Sequence, residues 1–132
     1  MYIMSSSIKP PIITDIKNAQ ALSDFLKVNP GLIIIKLGAE WCAPCKRIDP
    51  LVISWFNRMP NNVYCSLVDI DSCFELYGFF KSKRISRGVP TIMCYHKENT
   101  HYIPNDIIVG ADTNEVNAFF ERCMDYLEDN KD

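Results

Sequence analysis

The sequence carries no strong charge excess: 14 Lys and Arg stand against 16 Asp and Glu, a formal net charge of -2. A balance this mild lacks the basic field that nucleic acid or an anionic membrane surface recruits, so neither is expected as a partner. No apolar run approaches the roughly 20 residues that span a bilayer; the block Leu32–Ile35 has only the length of a strand. Residues 1–11, MYIMSSSIKPP, lack the basic start and continuous apolar stretch of a secretory signal, and a cytoplasmic location is the expectation. There is no internal repeat, linker or low-complexity tract. There is also no second Cys-x-x-Cys and no histidine pair to complete a zinc site, so no metal is expected.

What is present is an ordinary globular composition, 48% apolar and 23% charged, over 132 residues. That length fits one domain with its own core, here read as a lead-in over 1–11 and a domain over 12–132. Six cysteines, Cys42, Cys45, Cys65, Cys73, Cys94 and Cys123, form an even set. A disulfide framework suits short, secreted, core-poor chains, whereas this chain has the apolar content for a core. Cys65, Cys73, Cys94 and Cys123 are therefore expected as buried free thiols acting as small hydrophobes.

The hydrophobic pattern alternates between strand and helix. Ile12-Ile13 reads as the start of a short strand. Thr14 or Asp15 can cap a helix carrying Ala19, Leu22, Phe25 and Leu26 at helical spacing, which Asn29-Pro30-Gly31 ends. Leu32–Leu37 reads as a central strand covered on both faces, interrupted by Lys36. A helix follows from about Cys42 to Met59, with Pro50 inside it and a kink expected there. Val63–Ile70 is a strand, and Ser72–Lys83 a helix broken or bent near Gly78. Pro90–Tyr95 and Tyr102–Val109 are strands, and the final helix is capped by Asp112 or Thr113. The order β-α-β-α-β-α-β-β-α implies an α/β domain whose first half is parallel with right-handed crossovers and whose second half adds a hairpin.

The chemistry concentrates in Trp41-Cys42-Ala43-Pro44-Cys45-Lys46, which follows a buried strand and opens a helix. Two thiols three positions apart at a helix start can close a small disulfide ring. Cys42 faces unpaired N–H groups and the positive end of the helix dipole, and both favour the thiolate, the attacking species in disulfide exchange. Cys45 lies one turn deeper. That asymmetry suggests that Cys42 attacks and Cys45 resolves.

From about Ile12 to Leu127 the chain resembles the thioredoxin family. Its Trp-Cys-Gly-Pro-Cys-Lys pattern is matched at Trp41–Lys46, and its helix proline by Pro50, five residues after Cys45. Its cis-proline loop is matched by Arg87-Gly88-Val89-Pro90-Thr91, and its Val-Gly-Ala step by Val109-Gly110-Ala111. The resemblance implies a thioredoxin fold, a central mixed sheet of four to five strands flanked by four helices, and a protein-disulfide reductase. It implies a redox-active Cys42–Cys45 disulfide and a cis Pro90 facing it. Trp41, Gly88, Val89, Pro90, Val109, Gly110 and Ala111 would form the surface that docks protein disulfide substrates. No bound cofactor is implied, and electrons would come from a thioredoxin-reductase-type donor. A disulfide oxidase or isomerase, and a binding or scaffold subunit with incidental redox activity, are the competing readings.

Three departures from the family stand out. Ala43 replaces the glycine between the cysteines. Lys36, six residues before Cys42, occupies the place of a buried aspartate that serves the resolving cysteine, and that aspartate's lysine partner becomes Leu67. Two readings of Lys36 are open: it snorkels to an edge or pairs with a carboxylate, or it sits beneath Cys45 and takes part in catalysis, stabilising the thiolate or acting as a base. Finally, the stretch from Asp71 to Pro90 is longer than in short members. It holds Phe74, Tyr77, Phe79 and Phe80, then Lys81, Lys83, Arg84 and Arg87, read either as a solvated helix end or as a surface for acidic substrates.

Overall fold

The β-branched run at Leu32–Leu37 decides the architecture. In the computed structural model, which describes residues 9–131, it forms β1 (Leu32–Gly38), buried along its whole length. Alternation along this strand sorts two cores. Ile33, Ile35 and Leu37 pack with Leu22, Leu76 and Phe80. Leu32 and Ile34 pack with Val52, Phe56, Phe119 and Phe120.

Around β1 the chain runs α1 (Ala19–Lys27), β1, α2 (Ala43–Arg58), β2 (Val63–Asp69), α3 (Phe74–Ser82), β3 (Thr91–His96), β4 (Asp106–Val109) and α4 (Thr113–Asp129). The sheet order is β2-β1-β3-β4. β1 pairs with β2 in parallel, and β3 is antiparallel to both β1 and β4. Helices α1 and α3 contact each other on one face, α2 and α4 on the other. This is the four-helix, mixed-sheet arrangement expected, with four strands.

Several local expectations are corrected. Ile12-Ile13 does not start a strand: Ile13 makes one parallel bridge to Ser66, its N–H donating to the Cys65 carbonyl and its carbonyl accepting from the Leu67 N–H. Neither Thr14 nor Asp15 caps α1; Asn18 does, its side-chain oxygen accepting from the Ala21 N–H at 2.9 Å. Helix α3 runs unbroken through Gly78, an exposed position on the helix surface. The strand expected from Tyr102 begins only at Asp106. Before it, the Tyr102 carbonyl accepts from the Tyr95 hydroxyl at 2.7 Å and the Asn105 side chain accepts from the His96 N–H at 2.8 Å, so side chains take the place of ladder pairing at these two groups. The reading of residues 1–8 as part of a lead-in lies outside the described residues.

Candidate active site

At the end of β1 the chain turns through Ala39–Trp41 and enters α2 with Cys42 as the N-cap. Cys42 keeps an extended backbone, φ -93° and ψ 102°, and its sulfur accepts the Cys45 N–H at 3.2 Å. An N–H at this position has no partner within the helix, so the sulfur satisfies a donor that would otherwise be orphaned. Pro44 sits in the first turn, where its missing N–H forfeits nothing. Cys42 and Cys45 are joined as a disulfide, with Cα atoms 5.3 Å apart. Cys42 is 5% exposed and Cys45 1%, the order expected for an outer and an inner sulfur.

The loop before β3 meets this disulfide. The Val89–Pro90 peptide is cis, and the Val89 carbonyl oxygen lies 3.9 Å from Cys42 Sγ. Two buried hydroxyls tie the loop down: Thr91 donates to the Gly88 carbonyl at 2.6 Å, Ser86 donates to the same oxygen at 3.0 Å, and the two hydroxyls lie 3.1 Å apart. The Gly110 N–H donates to the Pro90 carbonyl at 2.9 Å. Gly110 has φ +106°, a region costly for any residue with a Cβ, which explains a glycine where the chain leaves β4.

The sequence-predicted docking residues thus converge, with different exposures. Trp41 and Val109 are exposed, at 67% and 49%. Gly88, Val89 and Gly110 are half-buried. Pro90 is buried. Ala111 packs against the core between α2 and α4. Sequence reasoning missed Asp71 as a partner: its carboxylate accepts the Trp41 indole N–H at 2.9 Å. It also missed Ser86 and Thr91, which carried no signal beyond their nearness to Pro90.

Lys36 pairs with a carboxylate that sequence reasoning did not name. Its Nζ lies 2.5 Å from Asp49 Oδ1, and the two side chains are 5% and 35% exposed. In the sheet register Lys36 stands opposite Leu67 and Ile92, so neither neighbouring strand offers it a charge there. The basic stretch after α3 is partly folded onto aromatics: Lys81 Nζ lies 5.4 Å from the Tyr77 ring centroid, and Lys83 Nζ 5.7 Å and 5.4 Å from those of Phe79 and Tyr102. Such placement is a cation–π contact that holds the ammonium against the protein surface.

The other four cysteines are buried free thiols, as expected. Burial pushes the Cys65 thiol up to about 12. The Cys123 thiol is raised by its hydrogen bond with Cys94 and then by burial. Neither is a ready nucleophile.

Comparison with known proteins agrees with this geometry. The thioredoxin family model matches residues 14–122. Thioredoxin 3 of Plasmodium falciparum is 26% identical over 123 residues, covering 92% of this chain and 65% of that protein. A thioredoxin of Coprinus comatus is 28% identical over 106 residues, covering 78% of this chain and 92% of its own. The solved thioredoxin of Trichomonas vaginalis superposes with a TM-score of 0.68 at 26% identity, over 86% of this chain and 97% of that one. Against three of the curated relatives the chain spans 65%, 56% and 49% of their length, about half to two thirds. The family match, the fold, and a disulfide closed at a helix N-terminus beside a cis-proline loop agree: the chain belongs to the thioredoxin family.

Proposed function

We propose that this chain is a thiol–disulfide oxidoreductase that reduces protein disulfides through Cys42 and Cys45. The observation that carries the reading is the Cys42–Cys45 disulfide at the first turn of α2, with Cys42 outermost and Val89 beside it. In the reduced protein the Cys42 thiolate attacks one sulfur of a substrate disulfide. The substrate S–S bond breaks, one substrate sulfur leaves as a thiolate and takes a proton from solvent, and the other is held by Cys42 as a mixed disulfide. Cys45 then attacks Cys42 Sγ, the Cys42–substrate bond breaks, and the second substrate sulfur leaves. Two electrons pass to the substrate, and the Cys42–Cys45 disulfide is the product on the enzyme.

Trp41, Gly88, Val89, Val109 and Gly110 form the docking rim in this reading, with Pro90 and Ala111 supporting it. An extended substrate would lie along the Val89 backbone by strand-like pairing. A thioredoxin-reductase-type flavoenzyme would return the dithiol, and a reducing compartment such as the cytoplasm suits a reductase. None of the helices among the described residues is long and apolar enough to cross a membrane.

The test is dithiothreitol-driven reduction of insulin. The wild-type chain accelerates precipitation of the insulin B chain, and Cys42→Ser returns the rate to that of dithiothreitol alone. A Cys42→Ser protein as fast as wild type would refute the reading.

A further inference from the structure

The Lys36–Asp49 pair lies close to the inner sulfur. Leu32, Ile34, Lys36 and Gly38 alternate onto one face of β1, the face covered by α2 and α4. A Cβ added to Gly38 would come 2.8 Å from Lys36 Nζ and 3.6 Å from both Cβ and Sγ of Cys45. The ammonium and the Cys45 sulfur therefore flank one small gap under a glycine that leaves it open. Asp49 lies four residues after Cys45 on α2, so both project from the same side of the helix. Lys36, Gly38, Lys46, Asp49, Leu67 and Asp69 line a cavity of about 190 Å³ at this point.

The charges around Lys36 are few. On α2 they are Asp49 and Lys46, on the preceding loop Glu40, and on β2 Asp69. Lys46 is engaged by Glu40 at 2.8 Å. The residues opposite Lys36 on β2 and β3 are Leu67 and Ile92. A nearly buried ammonium needs a counter-ion to offset its lost hydration, and Asp49 supplies it.

We propose that Lys36 and Asp49 are positioning residues for the resolving thiol: Asp49 anchors the Lys36 ammonium beneath Cys45, where its charge favours the Cys45 thiolate. The role rests on the disulfide-reductase reading for the step it serves. In that step the Cys45 thiol gives up its proton to solvent. The thiolate attacks Cys42 Sγ, the Cys42–substrate S–S bond breaks, and the substrate sulfur departs with the electron pair. Asp49 is the more exposed partner, 35% against 5% for Lys36, so its own charge is partly screened by water.

The experiment follows the Cys45 Cβ resonance in protein carrying carbon-13 cysteine, against pH, in a Cys42→Ser background so that the two active-site titrations do not mix. Two variants are compared with the parent: Lys36→Met, and the exchange Lys36→Asp with Asp49→Lys, which keeps an ion pair but reverses its polarity. Lys36→Met raises the Cys45 titration by about one pH unit or more, the size expected for removing a cation at this range. The exchange raises it at least as far while recovering the melting temperature. A purely structural pair predicts that the exchange restores the parent titration. A titration coincident with the parent, or shifted down, in either variant overturns the proposal, and if Lys36→Met does not fold the exchange decides alone. The titration needs no protein substrate. Insulin reduction without the shift sinks the proposal alone; the shift without insulin reduction sinks the reductase reading and leaves the electrostatic role standing.

Discussion

Trp41 and Asp71 are joined across the rim of the disulfide: the indole N–H donates to the Asp71 carboxylate at 2.9 Å. Trp41 is otherwise 67% exposed, and Phe74, one turn beyond Asp71 at the start of α3, is equally exposed. In the proposed docking rim, the orientation of this exposed side chain depends on that one hydrogen bond. The hydrogen bond links the active-site loop to the β2–α3 connection.

Asp71→Ala frees the indole. An exposed hydrogen bond to a carboxylate contributes about 1 kcal/mol, so kcat/KM for insulin is expected to fall by several-fold, mostly through KM. The melting temperature stays within a degree or two, because the residue is exposed. Steady-state kinetics and Trp41 fluorescence check this together; an unchanged KM would show that the indole's orientation does not matter.

Gly110→Ala places a Cβ at φ +106°. The cost is about 1–2 kcal/mol of stability, read by urea denaturation. The same strain disturbs the Gly110 N–H bond to the Pro90 carbonyl, so activity on protein substrates falls further than activity on a small disulfide. Equal loss on both substrates would place the effect at the sulfurs rather than at the docking rim.

Alkaline stability follows from the buried thiols. Cys65 keeps its proton in the folded state up to about 12, against an ordinary 9.0, chiefly because of burial. Its contribution is fully present below about pH 9 and is lost as the pH rises towards 12, where the unfolded chain has released the proton and the folded one has not. Each such group removes about 1.4 kcal/mol per pH unit across its window. Cys123 and Tyr95 are shifted the same way. Urea midpoints are expected to hold from pH 7 to 8.5 and drop steadily above 9, less steeply in Cys65→Ala; a midpoint unchanged to pH 10.5 would contradict the burial argument.

Much of the fold was legible because its signals are local. The Leu32–Leu37 run and the Cys42–Cys45 spacing each state their own conformation, whereas the cis form of Val89-Pro90 was implied only by the resemblance. The active-site cluster was legible only through the resemblance, since nothing in Val109 or Gly110 by itself points at Cys42. Cross-chain partners were not legible. Asp49 had a signal, its i+4 spacing from Cys45, but many acids have such spacing, and only the parity of Lys36 along β1 singles this one out. Asn18 displaced Thr14 and Asp15 as the cap because Ile13 is tied to β2 and Ile16 is buried, which holds the preceding segment extended. The strand expected from Tyr102 failed because the Tyr95 hydroxyl donates to the Tyr102 carbonyl and the His96 N–H donates to the Asn105 side chain, a competition that alternation in sequence does not register.

The central claim is a division of labour between two sulfurs, and trapping tests it most directly. Reduced Cys45→Ser protein is mixed with insulin and the products are read by mass spectrometry; Cys42→Ser is treated in parallel. Cys45→Ser should accumulate a covalent adduct through Cys42, because the attacking thiol remains and the resolving one is gone, while Cys42→Ser accumulates none. An adduct formed through Cys45 in the Cys42→Ser protein, or no adduct in either, would contradict the account.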